Sequence, residues 1–255
     1  KKRMLLGGKG AGLSEMTRLK LPVPPGFTIT TEVCNKYYDN NGKLPKDVMP
    51  AVMKNIAKME KKTGKKWNST KNPLLVSVRS GAAISMPGMM DTILNLGLNE
   101  KTVEGFAEQT KNPRFSWDSY RRFIQLFGKV VFGVNDEKFD HVLDAAKEKQ
   151  GVTDDSKLNV ESLKAIVSKY KKICEEHTKR KFPDTPNEQL VLSIEAVFKS
   201  WMGERAIVYR EKNNITKDIA NGTAVNVVTM VFGNMGDDSA TGVVFTRNGH
   251  NGKKE

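Results

Sequence analysis

The hydrophobic positions of this chain change their spacing from one region to the next. Val48, Val52, Ile56 and Met59 recur at helical intervals with lysines between them, which predicts a surface helix over 46–63 despite Pro50 in its first turns. "PLLVSV" (73–78) is a nearly continuous apolar run of strand length, bounded by Pro73 and the Ser80–Gly81 turn. "FTIT" (27–30) alternates with period two and reads as a short strand. Before it, Leu13, Met16 and Leu19 or Lys20 mark an amphipathic helix that "PVPPG" must end, because proline cannot continue a helix.

From about 100 to 183 the chain reads as helices with charged faces. Leu163, Ile166, Val167, Tyr170, Ile173 and Cys174 form one stripe, which His177 extends as a partly buried structural residue and "KFPDTP" breaks. "QLVLSIEAVFKSW" (189–201) follows as a further amphipathic helix, with Val191, Ile194, Val197 and Phe198 inward. Two β-rich runs come next, "TAVNVVTMVFG" (223–233) and "TGVVFTR" (241–247). The order predicts an α+β protein with an inserted helical subdomain. The last residues, "RNGHNGKKE", follow a predicted strand with no closing element, so the fold is expected to be cut there.

Composition narrows this picture modestly. A hydrophobic content of 38% and a mean hydropathy of −0.49 fit a soluble globular chain, with no apolar run near the roughly 20 residues of a membrane span. Two distant cysteines, Cys34 and Cys174, and the absence of a secretory leader point to an intracellular protein, with the cytoplasm expected and an organelle as the other compartment. The net charge of +13 attracts polyanions. Its lysines are dispersed and lack interleaved aromatic residues, which favours a polyphosphate nucleotide over nucleic acid.

Two motifs carry candidate chemistry. In "LLGGKGAGLSEM" Gly7, Gly8 and Gly10 surround Lys9 before a predicted helix, a pattern that lets backbone N–H groups and an ammonium approach an anion. The bland reading is a flexible turn with a solvated lysine. In "SVRSGAAISMPGMMDT" Arg79 ends a strand, where its planar fork is either a phosphate clamp or a buried ion pair with Asp91. Met86, Met89 and Met90 are either core filler or a lid over a base. His141, His177 and His250 have no metal-ligand spacing, and Asp237–Asp238 sits in a solvated turn.

These blocks, together with "PVPPGFTITTEVC", "NPRFSWDSYRRFIQLFG", "RAIVYR", "TAVNVVTMVFGN" and "TGVVFTRN" in this order, closely resemble the N-terminal nucleotide-binding part of the pyruvate, phosphate dikinases. The resemblance implies an ATP-grasp fold. Its first lobe would span 1–98 and return at 185–229, around a helical insert at 99–184, with the second lobe starting at 230–255. It implies the interconversion of ATP, phosphate and pyruvate with AMP, pyrophosphate and phosphoenolpyruvate, through a histidine on a swivelling domain of the full-length, homodimeric chain. It casts Lys9 and Arg79 as catalytic phosphate-holding residues. Met90, Asp91, Thr92, Met230, Val231 and Thr241 would join them in binding ATP or AMP. Arg122 and Arg205 would face the swivelling domain. Mg²⁺ is implied as cofactor, with its ligands expected past residue 255; no nucleic-acid or membrane partner is implied. Val228 stands where the family commonly has glutamine, and Gly249 and His250 replace its proline and serine. The alternatives are a phosphoenolpyruvate synthase and, from a different class, a basic RNA-binding module.

Overall fold

The computed structural model describes residues 2–86, 88 and 92–254. Four short antiparallel strands make the sheet: β1 (Gly26–Ile29), β2 (Val76–Gly81), β3 (Thr92–Leu96) and β4 (Ala224–Thr229), in the order β1-β4-β2-β3. β4 therefore enters between the two strands that start the chain, pairing Gly26 with Val228 on one side and Ser77 with Val228 on the other. Side chains alternate across a strand, so this register lines up Thr28, Asn226, Arg79 and Thr92 as one row on one face. Phe27, Val227 and Val78 form the adjacent row on the opposite face.

Helix α1 (Lys2–Arg18) lies over the polar row, and is broken at Gly7, whose φ of 69° and ψ of 173° are not helical. Two further helices, α2 (Thr31–Asp39) and α3 (Val48–Thr63), surround the sheet. The α3 stripe of Val48, Val52, Ile56 and Met59 is buried, as its spacing predicts. Between β3 and β4 the chain builds α4 (Glu100–Thr110), α5 (Pro113–Val130), α6 (Asp136–Gln150), α7 (Val160–Thr178), α8 (Pro186–Ser200) and α9 (Glu204–Lys212). The starts of these helices are written into the sequence. Asn99 and Thr102 exchange bonds in a capping box, and Asn112 accepts from the Phe115 N–H ahead of Pro113 at the first helical position. α4 to α7 share a core of Tyr120, Phe123, Phe127, Phe139 and Tyr170, each fully enclosed and each contributing about 1.5–3 kcal/mol through the apolar area it removes from water. Leu190, Ile194, Val197 and Phe198 of α8 are buried with them, whereas Val191 is only partly covered.

One polar residue ties the helices to the sheet. Gln189, with no exposed surface, accepts a bond from the Gly97 N–H at 3.1 Å and donates to the Leu98 and Pro183 carbonyls at 3.0 and 3.1 Å. Three expectations need correction. His177 is exposed rather than partly buried, since it falls at the last turn of α7 past the covered stripe. Residues 241–247 are not a strand: no described segment pairs with them, and Val243, Val244 and Phe245 are 80%, 90% and 76% exposed. Leu13 and Met16 do not face the core; they face a cleft.

Candidate functional site

The cleft lies between α1 and the polar face of the sheet, a cavity of about 480 Å³. Lys9, Leu13 and Met16 come from α1, Ser77 and Arg79 from β2, Asn226, Val228 and Thr229 from β4, and Met230 and Val231 from the segment that follows. Its shape has a backbone cause. At Gly7 a Cβ would stand 1.8 Å from the Gly81 carbonyl oxygen, and the residue's positive φ is one that L side chains rarely adopt. Only glycine lets α1 lie this close to β2, and the Gly8 N–H then donates to the Ala82 carbonyl at 2.7 Å.

That contact brings Lys9 next to Arg79. The Lys9 ammonium donates to the Ser80 carbonyl at 2.8 Å. Its pKa is lowered from the ordinary lysine value, first by partial burial and then by the positive charge of Arg79. Arg79 is exposed toward the cavity and makes no hydrogen bond or ion pair with any described residue. A second cavity of about 490 Å³ adjoins the first across Gly8 and Lys9 and is bounded by Arg3 and residues 80–86. Among the described residues lining the two cavities, the charged side chains are Arg3, Lys9 and Arg79, and none is acidic. Two cations held together without a carboxylate repel one another, and a polyanion relieves that repulsion.

The same walls do not suit a magnesium ion. The main cavity offers cations, the Ser77 and Thr229 hydroxyls and the Asn226 amide, whereas Mg²⁺ takes carboxylate or phosphate oxygens. Among the described residues no group of three His, Cys, Asp or Glu gathers anywhere.

The expected site residues are distributed unevenly. Lys9, Arg79, Met230 and Val231 share the main cavity, and Thr92 stands beside Arg79 in the sheet row. Met90 and Asp91 lie outside the described residues, as does most of the expected methionine lid; Met86 is buried. Thr241 is exposed and packs near Gly233, away from the cavity walls. Arg122, 53% exposed, donates to Asp118 at 2.9 Å, and Arg205 is exposed in the first turn of α9. Three members of the cavity went unread in the sequence: Ser77, Asn226 and the apolar wall of Leu13 and Met16. The available signal was an amide interrupting the apolar run "AVNVV".

Cleft, cation pair and glycine-enforced helix contact together define an α+β module with two cations beside an apolar surface. The chain belongs to the family described as "Pyruvate phosphate dikinase, AMP/ATP-binding domain", which matches residues 3–43 and 40–255. It is 56% identical over 245 residues to pyruvate, phosphate dikinase of Entamoeba histolytica, covering 96% of this chain and 28% of that protein. It is 52% identical over 253 residues to the Clostridium symbiosum enzyme of that name, covering 99% of this chain and 29% of the relative. Against pyruvate, phosphate dikinase 1, chloroplastic, of Arabidopsis thaliana the identity is 49% over 253 residues, 99% of this chain and 26% of the relative. The chain thus spans less than a third of these curated relatives.

Proposed function

We propose that this chain is the nucleotide-binding part of a pyruvate, phosphate dikinase. The observation that carries the reading is the Lys9–Arg79 pair, two cations on one cavity wall with no described acidic neighbour. In this reading ATP enters as its magnesium complex and lays its phosphates against Lys9 and Arg79. Arginine supplies a fixed fork and lysine a mobile point charge, so together they hold a triphosphate in one orientation. The base occupies the apolar part of the cleft, against Leu13, Met16, Val228 and Met230, with the backbone at Met230 and Val231 along its edge. Thr92 and Thr241, with Met90 and Asp91, complete the nucleotide contacts.

The larger reaction is proposed on the same footing. The terminal phosphates pass to a histidine on another domain of the whole protein, which docks near Arg122 and Arg205 and carries the phosphoryl group to pyruvate. Phosphate is the second acceptor, as the relatives' names imply. The sheet and its flanking helices act as the first lobe of an ATP-grasp fold (1–98 and 185–229) around the helical insert (99–184), and 230–255 opens the second lobe.

Calorimetric titration with Mg·ATP tests the core of this. Arg79→Ala should weaken binding by about 1.5–3 kcal/mol, the range for a hydrogen bond to a charged group. Unchanged affinity in that variant removes Arg79 from the phosphates.

A further inference from the structure

Asn226 has the most constrained polar side chain in the cleft. It is 1% exposed, sits between Thr28 and Arg79 in the sheet row, and belongs to the cavity wall. Its Oδ1 accepts the Thr28 hydroxyl at 2.9 Å, while its Nδ2 is buried without a partner among the described residues. Two glycines admit it. A Cβ on Gly10 would come within 2.9 Å of Oδ1, and a Cβ on Gly81 within 2.7 Å of Nδ2. The latter position is 3.7 Å from the Lys9 Cβ, so the free amide end lies beside the base of the Lys9 side chain.

We propose that Asn226 is a positioning residue of the anion site: it seats the Gly8–Gly12 stretch of α1 on the sheet and keeps the ground beneath Lys9 and Arg79 uncharged. This rests on the reading that those two cations bind phosphate. An aspartate here has nearly the same shape and still accepts the Thr28 bond. It would supply the negative charge that the cavity otherwise lacks and compete with the ligand for Lys9. An isolated buried amide N–H is costly, about 1–3 kcal/mol. Its place among Ala224, Val225, Val227 and Val228 therefore calls for a role other than packing.

The test compares Asn226→Asp with Asn226→Leu in this chain, by Mg·ATP titration and by NMR titration of the Lys9 side chain. Asn226→Asp should weaken Mg·ATP about tenfold or more and raise the Lys9 pKa, as an opposite charge added nearby does. Asn226→Leu, which loses the Thr28 bond but adds no charge, should weaken binding less. A leucine variant that is the weaker binder would reduce Asn226 to a packing residue. An Asp variant with unaltered affinity or an unmoved Lys9 would overturn the proposal outright. If the parent chain ignores Mg·ATP at millimolar concentration, the nucleotide reading fails, while the Lys9 titration still judges Asn226. Should the variants not fold, the parent chain provides the readout. Its Asn226 side-chain amide resonances should move as Lys9 titrates, and their standing still would sink the idea.

Discussion

Two clusters of positive charge in this molecule are built on opposite terms. In the helical region Arg121, 3% exposed, donates to Asp118 at 2.9 and 2.7 Å and lies 3.5 Å from Asp155, while Arg122 takes the second oxygen of Asp118. Every buried charge there has an opposite charge in contact. At the cleft neither Arg79 nor Lys9 has an opposite charge in contact among the described residues, Lys9 bonding only the Ser80 carbonyl, and both reach a cavity. A buried charge must be compensated or the fold suffers. Cations without an opposite charge among the described residues at a cavity wall fit the proposed anionic ligand. The difference separates an arginine paired within the fold from one that, in the proposed reading, meets a ligand, although "RR" at 121–122 and "VRS" at 78–80 look equally bare in sequence.

The comparison breaks if removing a helical carboxylate proves harmless. Asp118→Ala takes from buried Arg121 its closest carboxylate, leaving Asp155 at 3.5 Å, and should cost up to about 3–5 kcal/mol in urea unfolding, with Mg·ATP affinity measured at matched folded fraction unaffected. Gln189→Leu removes three buried bonds at the junction of sheet and helices. Its cost should be about 2–3 kcal/mol from the carbonyls and N–H left unpaired. Arg79→Met sharpens the contrast from the other side: stability should stay within about 0.5 kcal/mol of the parent, and Lys9 should titrate closer to an ordinary lysine.

The smallest expected effect is a pH dependence. The Lys9 pKa is lowered in the folded chain, so between that value and the unfolded value the unfolded chain binds more protons. Stability should thus rise with pH across that window, below the ordinary lysine value of 10.5. At neutral pH the charged Lys9 detracts from stability in full, and the deficit fades as the ammonium loses its proton. The difference between the parent and Lys9→Met, followed by thermal melts at rising pH, should shrink in that direction; a difference that grows would contradict it.

What was legible in the sequence follows from range. The helical stripes are local patterns: the buried face of α3 answers to them residue by residue, and that of α7 does so apart from Ile173, half-buried, and His177, exposed. The types of Lys9 and Arg79, and the glycines around one of them, were also readable. Long-range pairing was not. "TEVCNKYYD" follows a strand and becomes α2, and "TILNL" becomes β3 only because β2 lies beside it. "TGVVFTR" has the better strand pattern, yet pairs with no described segment. A strand is half of a contact, and its sequence does not name the other half. The row joining Thr28, Asn226, Arg79 and Thr92 has the same origin, because nothing local indicates that β4 enters between β1 and β2.

That insertion also sets a timetable. The hydrogen bonds of β4 join Gly26 to Val228 and Ser77 to Val228, made far apart during synthesis. On the ribosome, β1 and β2 wait with bare edges while α4 to α9, rich in short-range contacts, are free to form. Loop-closing strands of this kind are slow to pair, and waiting edges invite wrong partners. The cleft cannot form until β4 has been made, so a nascent chain stalled before residue 224 would carry Lys9 and Arg79 without the strand that places Asn226 between Thr28 and Arg79.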